Sequence, residues 1–198
     1  MSAALLLMLS AHAAAPLADT VASACGPVYD LTELQFTFVV TAEGVEKARR
    51  SHVWSPSTGT VAVTGGGKTI DLTTFGGTPH SETASDDDVA QAWAWFTNDS
   101  YWLLAPCKVG DSGVTAAAEG RDILTLRFDT VGLTPGDTYR MEVSPSGQVT
   151  GWSFLLQSGK AGSFDWTDHT QSGSLNLSLT RTAREGDFVI RFEDVSAK

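Results

Sequence analysis

Leu34-Gln35-Phe36-Thr37-Phe38-Val39-Val40-Thr41 alternates apolar and polar residues for most of its length. Leu34, Phe36, Phe38 and Val40 share one face while Gln35, Thr37 and Thr41 share the other, the period of a strand with one covered face. The pattern returns at Leu124, Leu126 and Phe128, at Leu175, Leu177 and Leu179, and at Phe188, Ile190 and Phe192. Turn-forming residues separate these stretches, so the chain reads as an antiparallel meander. Two of the turns are alike, Ser55-Pro56-Ser57-Thr58-Gly59 and Ser144-Pro145-Ser146-Gly147. In each, Pro pre-sets the turn and Gly supplies a positive φ, which predicts a hairpin tip.

Two helices are expected to interrupt the strands. Ser85 and Asp88 stand at capping-box spacing, and Val89, Trp93 and Phe96 then fall on one helical face. Trp95 points elsewhere, and the helix is expected to end near Asn98, with Asn98-Asp99 bonding the turn into Tyr101-Trp102. A shorter helix is expected between Pro16 and Cys25, with the proline in its first turn. Between Gly65 and Ser85 the sequence predicts one strand around Ile70 and Leu72, then a Gly-rich loop.

Residues 1–15 read as a secretory signal peptide. The apolar run Ala3-Ala4-Leu5-Leu6-Leu7-Met8-Leu9 leads into Ala11-His12-Ala13-Ala14-Ala15, where cleavage is expected near Ala13, although no Lys or Arg precedes the run. Residues 16–198 are then expected to form a single periplasmic or secreted domain. The formal net charge of -10 argues against nucleic acid or anionic membrane as a charge-driven partner. No apolar stretch after the leader approaches the ~20 residues of a membrane span, so an integral membrane protein is not expected. Lys47-Ala48-Arg49-Arg50, the only basic cluster, reads as a solvated strand whose side chains point to both faces.

Cys25 and Cys107 have three states open to them. A disulfide suits an oxidising compartment and would close a loop of about 80 residues. Two free thiols are the second. The third is a lipid anchor on Cys25, since Ala22-Ser23-Ala24-Cys25 loosely resembles a lipobox. Position 22 is not Leu, and Pro16 and Asp19 part the cysteine from the apolar run.

Candidate catalytic and metal patterns are weak. Asp86-Asp87-Asp88 diverge around a helix start, where they complement the helix dipole better than they share a cation. His52 is placed on a strand, His80 and His169 in loops, and none sits in an HExxH or beside a nucleophile elbow. Asp165 and Asp168 bracket Trp166 in what reads as an exposed loop with one packed Trp. Gly65-Gly66-Gly67-Lys68-Thr69 mimics the end of a P-loop but leads into a strand. No metal or cofactor is expected, and no enzymatic activity.

The segments Trp95-Phe96-Thr97-Asn98-Asp99-Ser100-Tyr101-Trp102-Leu103-Leu104-Ala105-Pro106 and Val131-Gly132-Leu133-Thr134-Pro135-Gly136-Asp137-Thr138-Tyr139 are the most distinctive. With the hairpin before Trp152-Ser153-Phe154, they resemble a family of secreted bacterial proteins similar to the LolA/LolB/LppX-like lipoprotein carriers. The resemblance runs from Leu31 to Val195. It implies an incompletely closed, curved antiparallel barrel covered by helices, with an apolar hollow between. Cys107 departs from the bulky apolar residue that members often carry there, which makes any pairing with Cys25 local to this chain. The expectation is therefore an α+β half-barrel of about eight to ten strands under two helices. Its expected function is to carry a lipid or an acylated protein, with Trp93, Phe96, Phe36, Phe38 and Leu126 lining the hollow. The alternative is a structural or protein-interaction module with a solid core; a hydrolase using Asp99 or a loop histidine comes third.

Overall fold

The structure is a computed structural model that describes residues 17–74, 78–128, 133 and 136–198. The leader read over residues 1–15 lies outside them, as do Pro16, Gly76, Gly77 and, apart from Leu133, the Val131–Pro135 end of one resemblance segment. Among the described residues, eleven strands form one antiparallel sheet. They are β1 (Leu34–Ala42), β2 (Val45–Ser55), β3 (Thr60–Gly65), β4 (Lys68–Thr73), β5 (Val114–Ala118) and β6 (Ile123–Phe128). After these come β7 (Thr138–Val143), β8 (Val149–Leu155), β9 (Ala161–Ser172), β10 (Leu175–Ala183) and β11 (Phe188–Ala197). The spatial order is β4-β3-β2-β1-β11-β10-β9-β8-β7-β6-β5. Spatial neighbours are sequence neighbours except at one junction, where β1 meets β11 with Phe38 opposite Phe192. β4 and β5 remain edges, so the barrel is not closed.

The strand number exceeds the expected eight to ten. Two segments account for the difference. β5 reads Val-Thr-Ala-Ala-Ala, side chains too small to display alternation. β9 carries Asp165, Asp168 and His169, expected in loops; its apolar period survives at buried Phe164 and Trp166 alone. Both Ser-Pro turns are hairpin tips, joining β2 to β3 and β7 to β8, with Gly59 and Gly147 at φ 62 and 86.

Two helices cover the sheet. The first, α1, spans residues 17–25 and ends where the Gly26 amide bonds the Ala22 carbonyl at 2.9 Å with φ 107. The second, α2, runs Asp86–Leu104, capped by Ser85, whose Oγ accepts from the Asp88 amide at 3.3 Å. It does not end near Asn98. Asp99 turns inward instead of bonding the local backbone, and no helix breaker occurs before Pro106. Along its length Trp95 lies against Gly65 of β3, where a Cβ would come within 2.8 Å of the indole. Further on, Tyr101 meets Phe128 of β6 and Trp102 meets Phe164 of β9, with ring centroids 4.8 and 5.0 Å apart. One helix touches both halves of the sheet because the sheet curves around it.

Of the three states open to the cysteines, the structure holds the disulfide. Cys25 at the end of α1 bonds Cys107 in the 3-10 turn Ala105–Lys108 that follows α2, with Cα atoms 5.1 Å apart. At a separation of 82 residues, constraint of the unfolded chain contributes roughly 4 kcal/mol.

Candidate functional site

Among the described residues, curvature leaves two hollows between the sheet and α2. The larger, open to solvent on one side, offers about 820 Å³ and is walled by Phe38 and Val40 of β1, Phe154 of β8, Phe164 of β9, Ile190 of β11 and Trp102 of α2. Alternation aims these strand residues inward. Gly162, paired with Phe154 across β8 and β9, gives the phenyl ring its room: a Cβ there would stand 2.7 Å from it. Arg50, Lys160 and Glu185 bring charge to the wall. The smaller hollow, about 320 Å³, adjoins across Asn98, Trp102 and Tyr139, which line both. Its own walls are aromatic and polar together, with Tyr101 and Trp152 beside Thr97, Lys108, Asp111 and Asp137.

A buried charge cluster fixes α2 above the first hollow. Arg50 Nε and Nη2 donate to Asp99 Oδ2 and Oδ1 at 2.7 and 2.6 Å, and His52 Nε2 donates to Oδ2 at 2.9 Å. Asp99 and His52 are wholly buried. A carboxylate on a helix thus answers a guanidinium on β2, and the Arg50 guanidinium also sits 4.9 Å from the centroid of Phe38. Of the basic run, Lys47 and Arg49 are solvated, Arg49 pairing with Glu46 and Glu193, while Arg50 points inward. Asp99 is therefore held as an ion-pair partner in the core, not as a turn-forming residue.

The residues expected to line a hollow divide between two cores. Phe36, Phe38, Phe96 and Trp93 come together in one cluster; Phe36 and Phe96 flank His52 at 4.8 and 5.8 Å, and Trp93 lies tilted beside Phe96 at 6.0 Å. Leu126 belongs to the other cluster, with Met141 and Trp152. Phe38 is the one that also walls the larger hollow. Trp102, Phe154 and Phe164 were missed by sequence reasoning, although Trp152-Ser153-Phe154 and Phe164-Asp165-Trp166 each carry a short apolar alternation. His80 pairs its backbone with Thr73. His169 lies on β9, not in a loop, and bonds the Val149 carbonyl at 3.0 Å. Trp166 is buried on a strand, and Asp165 pairs with Arg184 at 2.7 Å. Gly65-Gly66-Gly67-Lys68 is the β3–β4 hairpin. Among the described residues, no three His, Cys, Asp or Glu side chains are grouped to share a metal ion. No described helix is long and apolar enough to cross a membrane.

No protein-family model and no curated protein sequence matches the chain. Among solved structures it is similar to a LolA superfamily protein from Nitrosomonas europaea, with a TM-score of 0.55 at 10% identity over 94% of each chain. A DUF1329 family protein from Desulfovibrio piger aligns with a TM-score of 0.47 at 8% identity, over 94% of this chain and 93% of that one. The first of these shows that the fold is LolA-like.

Proposed function

We propose that the protein is a non-enzymatic, extracytoplasmic carrier that holds the acyl chain of a lipid or of an acylated protein in the larger hollow. The observation that carries this reading is the hollow of about 820 Å³, walled by Phe38, Val40, Phe154, Phe164 and Ile190. An interaction module with a solid core would have no such space. The LolA-like fold and the Cys25–Cys107 disulfide support the same reading, the latter through the oxidising compartment it suits. Residues 1–15 would supply the export signal. Energetics allow it: at ~0.8 kcal/mol per buried CH₂, a chain of about 14 carbons gains roughly 11 kcal/mol, against association costs of ~4–15 kcal/mol. Native mass spectrometry of the exported protein tests the reading. Extra mass that detergent releases as lipid is the expected result. A bare polypeptide that also fails to take up a fluorescent fatty acid would overturn it.

A further inference from the structure

The smaller hollow has a hydrogen-bonding character that an acyl chain does not use. Tyr101 Oη, Thr97 Oγ1 and Trp152 Nε1 are buried and have no hydrogen-bond partner among the described residues. Burial alone would penalise such groups, so three orphans around one hollow mark capacity for a ligand. Lys108 adds a fourth donor. Its ammonium sits over the Trp54 ring at 5.3 Å, and among the described residues it has no ion-pair partner. Burial pushes this ammonium below its ordinary value, while burial first, then nearby Tyr139 and Asp111, push the Tyr101 phenol far above its own. Tyr101 is accordingly a neutral donor at any physiological pH.

The two carboxylates of the hollow already carry bonds. Asp111 takes the Tyr29 hydroxyl at 2.5 Å, and Asp137 takes the Gln157 amide at 2.9 Å. Burial, then Asp137, push the Tyr139 phenol up to about 12. The unpartnered groups can all donate, yet two carboxylates against one ammonium make the hollow unfavourable to an anion. A ligand that fits both conditions is rich in acceptor oxygens and uncharged. Ester carbonyls meet that description; carboxylate and phosphate heads do not.

We infer that the smaller hollow receives the ester-linked glycerol end of an acylglycerol whose chain lies in the larger hollow, with the carbonyl accepting from Tyr101 and Lys108. The two hollows share Asn98, Trp102 and Tyr139, so one amphiphile can occupy both. This inference rests on the carrier reading and adds the chemistry of the head group.

A matched pair of probes tests it on the purified protein. 1-Hexadecanoylglycerol and 1-O-hexadecylglycerol share chain and diol and differ in the ester carbonyl. Displacement of a bound fluorescent fatty acid should show the ester binding about tenfold tighter than the ether. Tyr101→Phe and Lys108→Met should each bring the two within about twofold and keep the far-UV circular dichroism. The comparison on the unaltered protein stands even if a variant misfolds. Equal binding of ester and ether overturns the head-group site and leaves the carrier reading intact. Tighter binding of hexadecanoate than of the ester also overturns it, because charge would then outweigh the carbonyl. Failure of every probe to bind removes both readings. A synthetic dipalmitoylglyceryl-cysteine peptide separates the sources: preference for it over 1-hexadecanoylglycerol assigns the ester to an acylated protein, the reverse to a free lipid, and either supports the site.

Discussion

Arg181 gives the Trp102 carbonyl the hydrogen bonds that the continuing helix cannot. In an unbroken helix that carbonyl would accept from residue 106, but residue 106 is Pro106 and has no N–H. Wholly buried Arg181 reaches it from β10, donating from Nη2 at 2.8 Å and Nε at 3.2 Å, and gives its Nη1 to the Ser178 carbonyl at 2.6 Å. The guanidinium lies 3.6 Å from the Trp166 centroid, and its charge meets the negative end of α2. Trp102 is one of three side chains shared by both hollows, so this contact helps set their common wall. Replacing Arg181 with Met orphans buried carbonyls, and we expect a loss of about 1–3 kcal/mol in urea unfolding. A gain in stability would mean that relief of the buried charge outweighs the lost bonds.

How far this could be read in advance differs from element to element. β1, β10 and β11 were legible because their inward residues are large and alternate strictly. The start of α2 was legible from Ser85 and Asp88, and the hairpin tips from Pro and Gly. The end of α2 was not. Asn98-Asp99 has the local chemistry of a turn, and it is Arg50, 49 residues away, that holds the Asp99 carboxylate inside a continuing helix. The same holds for Arg181, whose partner Trp102 lies 79 residues away. Long-range polar pairs leave no periodic trace, so the hollow's apolar wall was partly visible and its charged supports were not.

Asp99→Asn tests the tether between β2 and α2. The carboxylate takes two bonds from Arg50 and one from His52, so the neutral amide leaves a largely buried guanidinium without its counter-charge. Removing one partner of a buried pair costs about 3–5 kcal/mol. We expect a loss in that range by chemical denaturation with native far-UV circular dichroism below the transition. A change below about 1 kcal/mol would show that the cluster is solvated in solution.

Stability at acid pH should depend on Glu142. Arg184 reaches from beyond β10 across β9 and β8 to grip it, Nη1 and Nη2 lying 2.6 and 2.7 Å from its two oxygens. Gly151 of β8 lies beneath, where a Cβ would stand 2.5 Å from Arg184 Nη2. Hydrogen bonds from Arg184 hold the Glu142 carboxyl below its ordinary value of 4.5, against the opposing effect of burial. A depressed folded pKa stabilises above the unfolded value and is lost as pH falls through the folded one. Because both side chains are about a third exposed, the pair is worth at most about 1 kcal/mol. Glu142→Gln and Gly151→Ala should each remove that share of the stability lost between ~pH 5 and ~pH 3. Urea midpoints that fall in parallel with the unaltered protein would discount the pair.

Filling the larger hollow should separate binding from folding. Ala183 ends β10 opposite Phe164 and lines the hollow with it, half-buried, so a larger side chain there grows into open space more than into packed core. Overpacking a tight core costs about 1–3 kcal/mol, and the cost falls where room already exists. We expect Ala183→Trp to lower stability by under about 1 kcal/mol while its indole occupies the path of a bound chain between Phe164 and Ile190. Retention of lipid on purification and uptake of a fluorescent fatty acid should then both drop at least tenfold. Ala183→Ser, which adds one oxygen and little volume, should retain binding to within about twofold. Equal binding by the Trp and Ser variants would place the acyl chain elsewhere than against β9 to β11, and the assignment of Phe38, Phe164 and Ile190 to the ligand wall would fall with it.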